Sequence, residues 1–319
     1  MNRFLLRSTL LLFLVQTILL PGAPAGAEPL TVRDLPGVKG IFLQPGTDNL
    51  ARDEAYWRTL FQKLRKENMD TLFLQWSAEK GRVFADLELE NHEKLPFLEK
   101  IFQAARESGL KVFLGLYQET TYWRQIPAPL DVLENFFYLR AAANERLLEQ
   151  VHKKFGQDAA LAGYYIPDEI DDLNWRTEDR IGLYNGYLKL MVERIRKVDP
   201  QRPVAVSSFF RSRTAPRIYA ENVFAILKDT GINWLLVQDG AGENNPAEPY
   251  RSLYLEKVKE SKPQGIELAV ILEIFTRTSR EGEPFAAVAA PRERIGRQIA
   301  EVRRYFEHVV AFSLEYLEP

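Results

Sequence analysis

The sequence contains no cysteine among its 319 residues, and it contains three histidines. The first absence excludes disulfides, thiolate metal sites, a cysteine nucleophile and a lipidated cysteine. The histidines are His92 in a predicted loop, His152 in a predicted helix and His308 just before the last predicted strand. A metal-dependent hydrolase normally gathers several imidazoles in its site, and a Ser-His-Asp mechanism needs one beside the nucleophile. We therefore expect neither a metal centre nor such a triad.

An excess of positive charge is also missing. Lys and Arg together number 42 against 44 Asp and Glu, which gives a formal net charge of -2, and no basic block is present. Binding to a phosphate backbone requires such a basic surface, so nucleic acid is not an expected partner. The sequence has no glycine-rich phosphate loop or dinucleotide fingerprint, so we expect no nucleotide and no other cofactor.

The N-terminal apolar run is shorter than the roughly 20 residues that cross a bilayer as a helix. This run, Leu10–Leu20, follows Arg3 and Arg7 and precedes the small residues Ala25-Gly26-Ala27. Such an order is typical of a signal peptide. We expect residues 1–27 to be removed and the mature chain, beginning at Glu28, to reach the periplasm or the exterior of a bacterial cell. Retention of the segment as a membrane anchor is the alternative, and no other membrane contact is expected.

Residues 28–319 alternate between apolar strands and helical patterns. The hydrophobic fraction of 46% is sufficient for a large core. The predicted strands are Val38–Gln44, Asp70–Trp76, Lys111–Tyr117, Leu161–Ile166, Pro203–Ser208, Trp234–Gln238, Ile266–Ile274 and Val309–Leu314. The predicted helices are Asp53–Lys66, Pro96–Ser108, Leu130–Phe155, Glu178–Lys197, Arg217–Lys228, Tyr250–Ser261 and Pro291–Phe306. This alternation predicts an α/β protein with a single (β/α)8 TIM barrel as its one domain.

A concentration of carboxylates follows the fourth predicted strand. Pro167 lacks an amide donor and is expected to end this strand, so that Asp168 and Glu169 emerge at its carboxyl end. In parallel α/β proteins that end carries the chemistry. Capping of the next helix or a solvated position in the loop is the alternative for Glu169. For Asp171 and Asp172, it is as good an interpretation as a role in a site.

Glu273 is the strongest single candidate for a functional residue, because it follows the apolar run Leu268–Leu272 and precedes Ile274 and Phe275. A carboxylate enclosed in hydrocarbon costs several kcal/mol unless it is paired, hydrogen-bonded or protonated. A structural ion pair is the alternative to a functional role. Strands four and seven lie nearly opposite each other in a barrel, so Glu169 and Glu273 are predicted to face one bond from two sides. Glycoside hydrolysis requires such a pair of carboxyl groups.

The other predicted strand ends are also polar or aromatic. We predict that nine of these residues bind a substrate, namely Gln44, Gln75, Trp76, Tyr117, Gln118, Asp168, Gln238, Asp239 and Glu315. Ser207 and Ser208 end the fifth strand, and Trp123 and Trp175 lie beyond strand ends. Flat rings pack on the C–H faces of sugars, although core packing remains the alternative for each ring. Arg211 and Arg213 either bind an acidic substituent of the sugar, such as a uronate, or lie in a solvated loop.

Three stretches carry a family resemblance, namely Gly40-Ile-Phe-Leu-Gln44, Asp70-Thr-Leu-Phe-Leu-Gln-Trp76 and Gly163-Tyr-Tyr-Ile-Pro-Asp-Glu-Ile-Asp171. They resemble a family of bacterial barrel proteins that is described as a domain of unknown function and as glycosyl hydrolases. The likeness covers most of the chain after the signal segment. It implies a sugar-active barrel and leaves the substrate open.

The positions of Glu169 and Glu273 are more loosely similar to the acid/base and the nucleophile of the retaining barrel glycosidases called clan A. Those enzymes usually carry Asn directly before the acid/base, where this chain has Asp168, so membership of clan A stays open. The combined expectation is a glycoside hydrolase acting on an oligo- or polysaccharide. A non-catalytic carbohydrate-binding or assembly protein of an envelope polysaccharide system is the alternative, and the sequence predicts no oligomeric state.

Overall fold

The computed structural model describes residues 30–243, 245–280 and 283–318. The predicted signal peptide, residues 1–27, lies outside the described residues. Within the described ranges, no helix is both long and apolar enough to span a bilayer.

Eight parallel strands form a closed barrel, as the sequence predicted. They are β1 (Gly40–Leu43), β2 (Thr71–Leu74), β3 (Lys111–Gly115), β4 (Leu161–Ile170), β5 (Val204–Ser208), β6 (Trp234–Gln238), β7 (Glu267–Glu273) and β8 (His308–Phe312). Each strand pairs with the next one in sequence, and β8 closes the barrel on β1 through the pairs Val310–Gly40 and Ala311–Ile41. Because all strands are parallel, their carboxyl ends meet on one face.

Long helices connect successive strands. They are α1 (Glu54–Lys66), α2 (Leu98–Ser108), α3 (Leu130–Phe155), α4 (Glu178–Val198), α5 (Pro216–Leu227), α6 (Tyr250–Ser261) and α7 (Arg292–Val302). Local sequence sets their ends: the Asp53 side chain caps α1 by accepting from the Tyr56 amide at 2.8 Å, and Gly109 ends α2 with a left-handed φ of 71°. Two single-turn helices, Thr47–Leu50 and Tyr122–Gln125, lie in the loops after β1 and β3.

The expectation that Pro167 ends the fourth strand is wrong. Strand β4 continues to Ile170, and its register with β5 shifts between the pairs Val206–Ile166 and Ser208–Ile170. A proline removes one amide donor, but the backbone on either side can still pair if the ladder bulges there. The bulge places Asp168 and Glu169 within the last part of the strand.

The core has two layers. The outer one lies between the strands and the helices, and the inner one fills the barrel with the rings of Phe42, Phe73, Phe113 and Tyr165 and the smaller side chains of Ala205, Leu236, Ala269, Ile271 and Val310. Phe73 stacks between Phe42 at 5.1 Å and Phe113 at 4.8 Å between ring centroids. The barrel interior is therefore packed, and a pocket opens at the carboxyl end of the strands.

Three small sheets lie outside the barrel, within the described residues. The segments Glu93–Lys94, Arg82–Val83, Ala78–Glu79 and Tyr117–Gln118 form a sheet in that order, Phe275–Arg277 pairs with Ala287–Ala289, and Leu30–Thr31 pairs with Leu317–Glu318. The loop after β2 folds against the barrel and buries Phe84 and Leu87.

Candidate active site

A single pocket at the carboxyl end of the barrel receives both predicted carboxyl groups. Glu169 comes from β4 and Glu273 from the end of β7, and both side chains line this pocket. Their strands are separated by β5 and β6 on one side of the closed barrel. The two groups therefore approach the same space from different strands.

Glu169 is held at the pocket wall by neutral donors. Its Oε1 accepts from Gln238 Nε2 at 2.5 Å and from Ser207 Oγ at 3.3 Å, and Ser207 Oγ also bonds the Tyr165 hydroxyl at 2.7 Å. Burial raises the pKa of Glu169 to about 7, although these hydrogen bonds and the charge of Arg211 act in the opposite direction. The carboxyl group therefore carries a proton over much of the range below neutral pH.

Glu273 is more deeply enclosed, with 5% of its surface exposed. Its Oε2 accepts from the Gly242 amide at 2.7 Å. A Cβ on Gly242 would lie 2.9 Å from this same oxygen and 2.5 Å from the Phe275 ring, so only glycine allows so close an approach. Burial raises the pKa of Glu273 to about 8, and the negative charges of Asp239 and Glu243 contribute in the same direction.

A layer of polar side chains behind the pocket fixes the end of β7. Asp239 Oδ1 accepts from the Glu273 amide at 3.2 Å. Gln298 on α7 donates to Asp239 Oδ2 and, at 3.2 Å, to the Glu273 carbonyl, and Arg294 donates to that carbonyl at 3.0 Å. The backbone of Glu273 is thus bonded from both sides, so its carboxyl group is held in place from behind.

Amide side chains and aromatic rings form most of the remaining wall. The amides are Gln44, Gln75, Gln118, Gln238 and Asn245, and the rings are Trp123, Phe209, Phe210, Phe275, Phe285, Phe312 and Tyr316. Gln44 Nε2 donates to Gln75 Oε1 at 2.6 Å, which orients both groups. Such a wall offers apolar faces and neutral hydrogen-bonding groups, the two kinds of contact that a sugar makes through its C–H faces and its hydroxyl groups.

One charged cluster borders the pocket, and we call it the Arg-Glu-Arg cluster. Glu243 Oε2 pairs with Arg211 at 2.5 Å, and its Oε1 pairs with Arg277 at 3.2 Å. The guanidinium carbons of Arg211 and Arg277 lie over the rings of Phe209 and Phe285, each at 5.7 Å from the centroid. The three members follow β5, β6 and β7, so the cluster ties three loops together beside the two candidate carboxyl groups.

Comparison with known proteins identifies the family. A family model described as Domain of unknown function (DUF4434) matches residues 38–318. The chain belongs to this family. The DUF4434 chain is also similar to the Uncharacterized protein YbcH of Escherichia coli (strain K12), with 29% identity over 281 residues that cover 88% of this chain and 90% of YbcH.

The DUF4434 barrel shares its fold with solved glycoside hydrolases at low sequence identity. A candidate alpha-L-fucosidase from Bacteroides thetaiotaomicron is 14% identical, with a TM-score of 0.68 over 86% of this chain and 87% of that one. The intracellular xylanase TsXylA from Thermoanaerobacterium saccharolyticum is 14% identical, with a TM-score of 0.53 over 90% and 89%. A family 39 glycoside hydrolase from Bacteroides cellulosilyticus is 13% identical, with a TM-score of 0.55 over 90% of this chain and 58% of that one.

Five of the predicted site residues besides Glu273 line the DUF4434 pocket, namely Gln44, Gln75, Gln118, Glu169 and Gln238. Three of their sequence neighbours do not. Trp76 is buried in the outer core, Asp168 meets Arg140 of α3 at 2.6 Å and the Tyr187 hydroxyl of α4 at 2.6 Å, and Asp239 bonds Gln298 of α7. Successive residues of a strand point to opposite faces, so one member of each pair faces the helices.

The remaining predicted residues have structural contacts in the DUF4434 fold. Tyr117 is half-buried, and its amide donates to Asn144 of α3 at 3.0 Å. Glu315 Oε1 accepts from the Gln44 amide at 3.1 Å and from Asn49 Nδ2 at 2.9 Å, so it positions the residue that lines the pocket. Trp175 stacks on Tyr184 at 4.3 Å.

Asp171 and Asp172 neither cap α4 nor lie in solvent, because both are buried and bind loop backbone. Asp171 Oδ1 accepts from the amides of Leu173 and Asn174 at 2.8 and 2.6 Å. Asp172 accepts from the amides of Arg211, Arg213 and Thr214 at 3.0, 2.6 and 3.4 Å. The bonds of Asp172 hold the loop after β5, in which Arg211 lines the pocket and Arg213 is exposed.

Sequence reasoning missed Glu243, Asn245 and most of the aromatic wall. The available signal was position, since Phe209 and Phe210 directly follow β5 and Glu243 follows the turn that begins at Gly240. The histidines lie where they were predicted: His152 bonds the Tyr164 hydroxyl at 3.1 Å, and His308 begins β8. In the described part of the chain, no group of three or more acidic or imidazole side chains is arranged to hold a metal.

Proposed function

We propose that this protein is a glycoside hydrolase acting on an oligo- or polysaccharide, with Glu169 and Glu273 as its two reacting carboxyl groups. The observation that carries the proposal is the presence of both groups in one pocket whose other walls are amides and aromatic rings. Hydrolysis of a glycosidic bond requires one protonated carboxyl for the leaving oxygen and one ionised carboxylate at the anomeric carbon or its attacking water. The shared fold with glycoside hydrolases supports this choice.

We propose a retaining mechanism in two steps. One carboxylate attacks the anomeric carbon while the other carboxyl donates its proton to the departing oxygen, which leaves a covalent glycosyl-enzyme. Water then attacks the same carbon and gives a proton to the second carboxylate, which restores both groups. The resemblance to clan A assigns Glu273 as the nucleophile and Glu169 as the acid/base.

The surroundings of the two carboxyl groups bear on these roles. Burial raises the pKa of Glu169 to about 7 and that of Glu273 to about 8, so each group can hold the proton near neutral pH. The negative charges of Asp239 and Glu243 favour the protonated form of Glu273, which suits the acid. The hydrogen bond from the Gly242 amide favours the ionised form of Glu273, which suits the nucleophile. A chemical rescue experiment distinguishes the two assignments.

The test is a screen of aryl glycosides and polysaccharides with the wild type, Glu169→Gln, Glu273→Gln and Glu267→Gln. Glu267 is the matched control, because it begins the same strand as Glu273 and is exposed at the opposite end of the barrel. We expect each site variant to lose at least about 10²-fold in turnover and the control to match the wild type. Turnover by both site variants at the wild-type rate would end the proposal.

The nucleophile is identified by azide rescue. Replacement of the nucleophile by Ala leaves space for azide to attack the anomeric carbon directly, so one of Glu169→Ala and Glu273→Ala should give a glycosyl azide with the anomeric configuration opposite to that of the substrate. An azide of the same configuration as the substrate would identify the acid/base variant, because azide then attacks the glycosyl-enzyme. In the wild type, NMR of the first-formed sugar should show the anomer of the substrate. Formation of the opposite anomer first would replace the retaining mechanism with an inverting one.

The second candidate is a non-catalytic carbohydrate-binding protein. The raised pKa of Glu273 favours it, because a carboxyl that stays protonated at neutral pH can donate a hydrogen bond to a sugar without attacking it. Under this alternative, the wild type binds a glycan that it never cleaves. The double variant Glu169→Gln/Glu273→Gln would then keep its affinity for that glycan.

A further inference from the structure

The Arg-Glu-Arg cluster places three charged side chains beside a pocket whose wall is otherwise made largely of amides and aromatic rings. Its side chains are largely enclosed, with 11% of Arg211, 12% of Glu243 and 15% of Arg277 exposed. Enclosing three charged groups is costly unless they are paired. Two guanidinium groups share the carboxylate of Glu243, so the formal charges of these three side chains sum to +1.

This residual charge is presented to the pocket. Arg211 and Glu243 both line it, and the remaining polar wall is made of neutral amides apart from the two candidate carboxyl groups. The charge of Arg211 acts on Glu169, and that of Glu243 acts on Glu273. The cluster is therefore within electrostatic reach of both carboxyl groups, beside the position proposed for the scissile bond.

The cluster is also pre-ordered. Glu243 holds Arg211 through one oxygen and Arg277 through the other, Phe209 supports the guanidinium of Arg211, and Asp172 binds the Arg211 backbone amide. A guanidinium fixed in this way presents planar donors, which suit the paired oxygens of a carboxylate or sulfate. Little side-chain entropy remains to be lost when such an anion binds.

We propose that the Arg-Glu-Arg cluster is a subsite for an anionic sugar, in which Arg211 binds a carboxylate or sulfate group carried by a residue next to the scissile bond. The inference rests on the proposed carbohydrate function and narrows the substrate to acidic glycans. Glu243 and Arg277 act as positioning residues, since they hold the guanidinium that makes the contact.

The experiment measures binding, not turnover, with sugar pairs that differ only in the anionic group. The pairs are methyl glucuronide and methyl glucoside, methyl galacturonide and methyl galactoside, and glucose 6-sulfate and glucose, each titrated by ligand-observed NMR at low salt. In at least one pair, we expect the anionic member to bind the wild type at least tenfold more tightly than its neutral partner. A preference in the sulfate pair alone would identify the anion as sulfate, and one in a uronide pair as carboxylate.

Arg211→Met and Arg213→Met are the matched variants. Arg213 lies two residues further along the same loop, is exposed and is outside the pocket, so its replacement should keep the preference. Arg211→Met should reduce the preference to less than threefold, and Glu243 stays paired with Arg277, so the fold is expected to survive. Circular dichroism and melting of both variants check this point.

The outcomes separate this inference from the proposed function. Equal binding within every pair, no binding of any member, or a preference that persists in Arg211→Met would each overturn the anionic subsite. Cleavage of a neutral glycoside without anionic preference would do the same and leave the hydrolase standing. Preferential binding of an acidic sugar that depends on Arg211, without turnover of any acidic glycan, would keep the subsite and remove the hydrolase.

Discussion

Glu273 is the residue at which the requirements of folding and of the proposed chemistry conflict. Its carboxyl group is buried beside Asp239, and its pKa in the folded protein is raised to about 8. The unfolded chain has an ordinary pKa near 4.3, so the folded state binds the proton more tightly. The stabilising contribution is complete below the unfolded value and is lost as the pH rises through about 8. The folded state must then hold an unfavourable buried charge.

The direction of the pKa shift of Glu273 predicts how its replacement changes stability with pH. Glu273→Gln keeps the shape of the side chain and removes the titration, so its free energy of unfolding should be close to the wild-type value at pH 5. At pH 9 the variant should be more stable by on the order of a few kcal/mol. Urea denaturation across this pH range measures the difference, with Glu267→Gln as the control. A difference that stays constant with pH would contradict the burial of an ionisable group at this position.

The same two carboxyl groups predict a bell-shaped pH dependence of kcat/KM. One group must be ionised and the other protonated. Activity should therefore be highest between the pKa of Glu169, which is raised to about 7, and that of Glu273, which is raised to about 8. Asp239→Asn removes the charge that helps to raise the pKa of Glu273, so the alkaline limb should move to lower pH. An alkaline limb unmoved in Asp239→Asn would show that Glu273 does not determine it.

At the scale of elements, the alternation of side chains along a strand decides which predicted residues reach the pocket. Gln75, Glu169, Ser207 and Gln238 face inward, whereas their neighbours Trp76, Asp168, Ser208 and Asp239 contact the surrounding layer. The sequence locates the strand ends but not the face to which each residue points. That choice depends on register, and a bulge such as the one after Ile166 changes it.

Asp168 is a strand residue that contacts the surrounding helices and does not line the pocket. Arg140 on α3 bonds both of its oxygens, at 2.6 and 2.7 Å, and the Tyr187 hydroxyl on α4 donates to it at 2.6 Å. Arg140 and Asp168 are both buried. The pair therefore docks two helices onto β4, directly next to Glu169.

Breaking this pair on one side should be more damaging than removing both charges. Arg140→Met leaves a buried, unpaired carboxylate and should lower the free energy of unfolding by about 3–5 kcal/mol. Adding Asp168→Asn should recover part of that loss, because the amide carries no charge. Urea denaturation of the two single variants and the double variant measures the coupling. Losses that simply add would show that the two side chains do not depend on each other.

At the scale of the whole molecule, the barrel was predictable because the alternation of strands and helices survives errors of a few residues at each boundary. Helix α7, for example, was predicted to reach Phe306 and ends at Val302. The wall of the pocket was less predictable. Glu243, Asn245 and Phe285 lie in loops after the strands, where no hydrophobic period exists to place them. Their arrangement follows from the closure of the barrel, which brings distant loops to one end.

Closure of the barrel also determines which residues form the floor of the pocket. The inner rings of Phe42, Phe73 and Phe113 fill the barrel below it, and Phe42 meets the pocket-lining Phe312 at 5.6 Å. The Tyr165 hydroxyl extends from the same layer to Ser207, which contacts Glu169. The packed interior is therefore the floor of the site. The pocket opens at the carboxyl end of the barrel, where the loops after the strands form its rim.

We propose that the chain is exported, because its first residues have the order that is typical of a signal peptide. The N-terminal order of charge, apolar run and small residues predicts cleavage after Ala27, because signal peptidases accept small side chains at such sites. Intact-mass measurement of the protein from a bacterial periplasm or culture medium should give a chain that begins at Glu28. Ala27→Arg should block this cleavage and leave the protein in the membrane fraction, while Ala23→Arg, outside the Ala25-Gly26-Ala27 site, serves as the control for added charge. A wild-type mass that includes Met1 would instead support a retained membrane anchor. Such an anchor could not be a lipidated cysteine, because the sequence contains no cysteine.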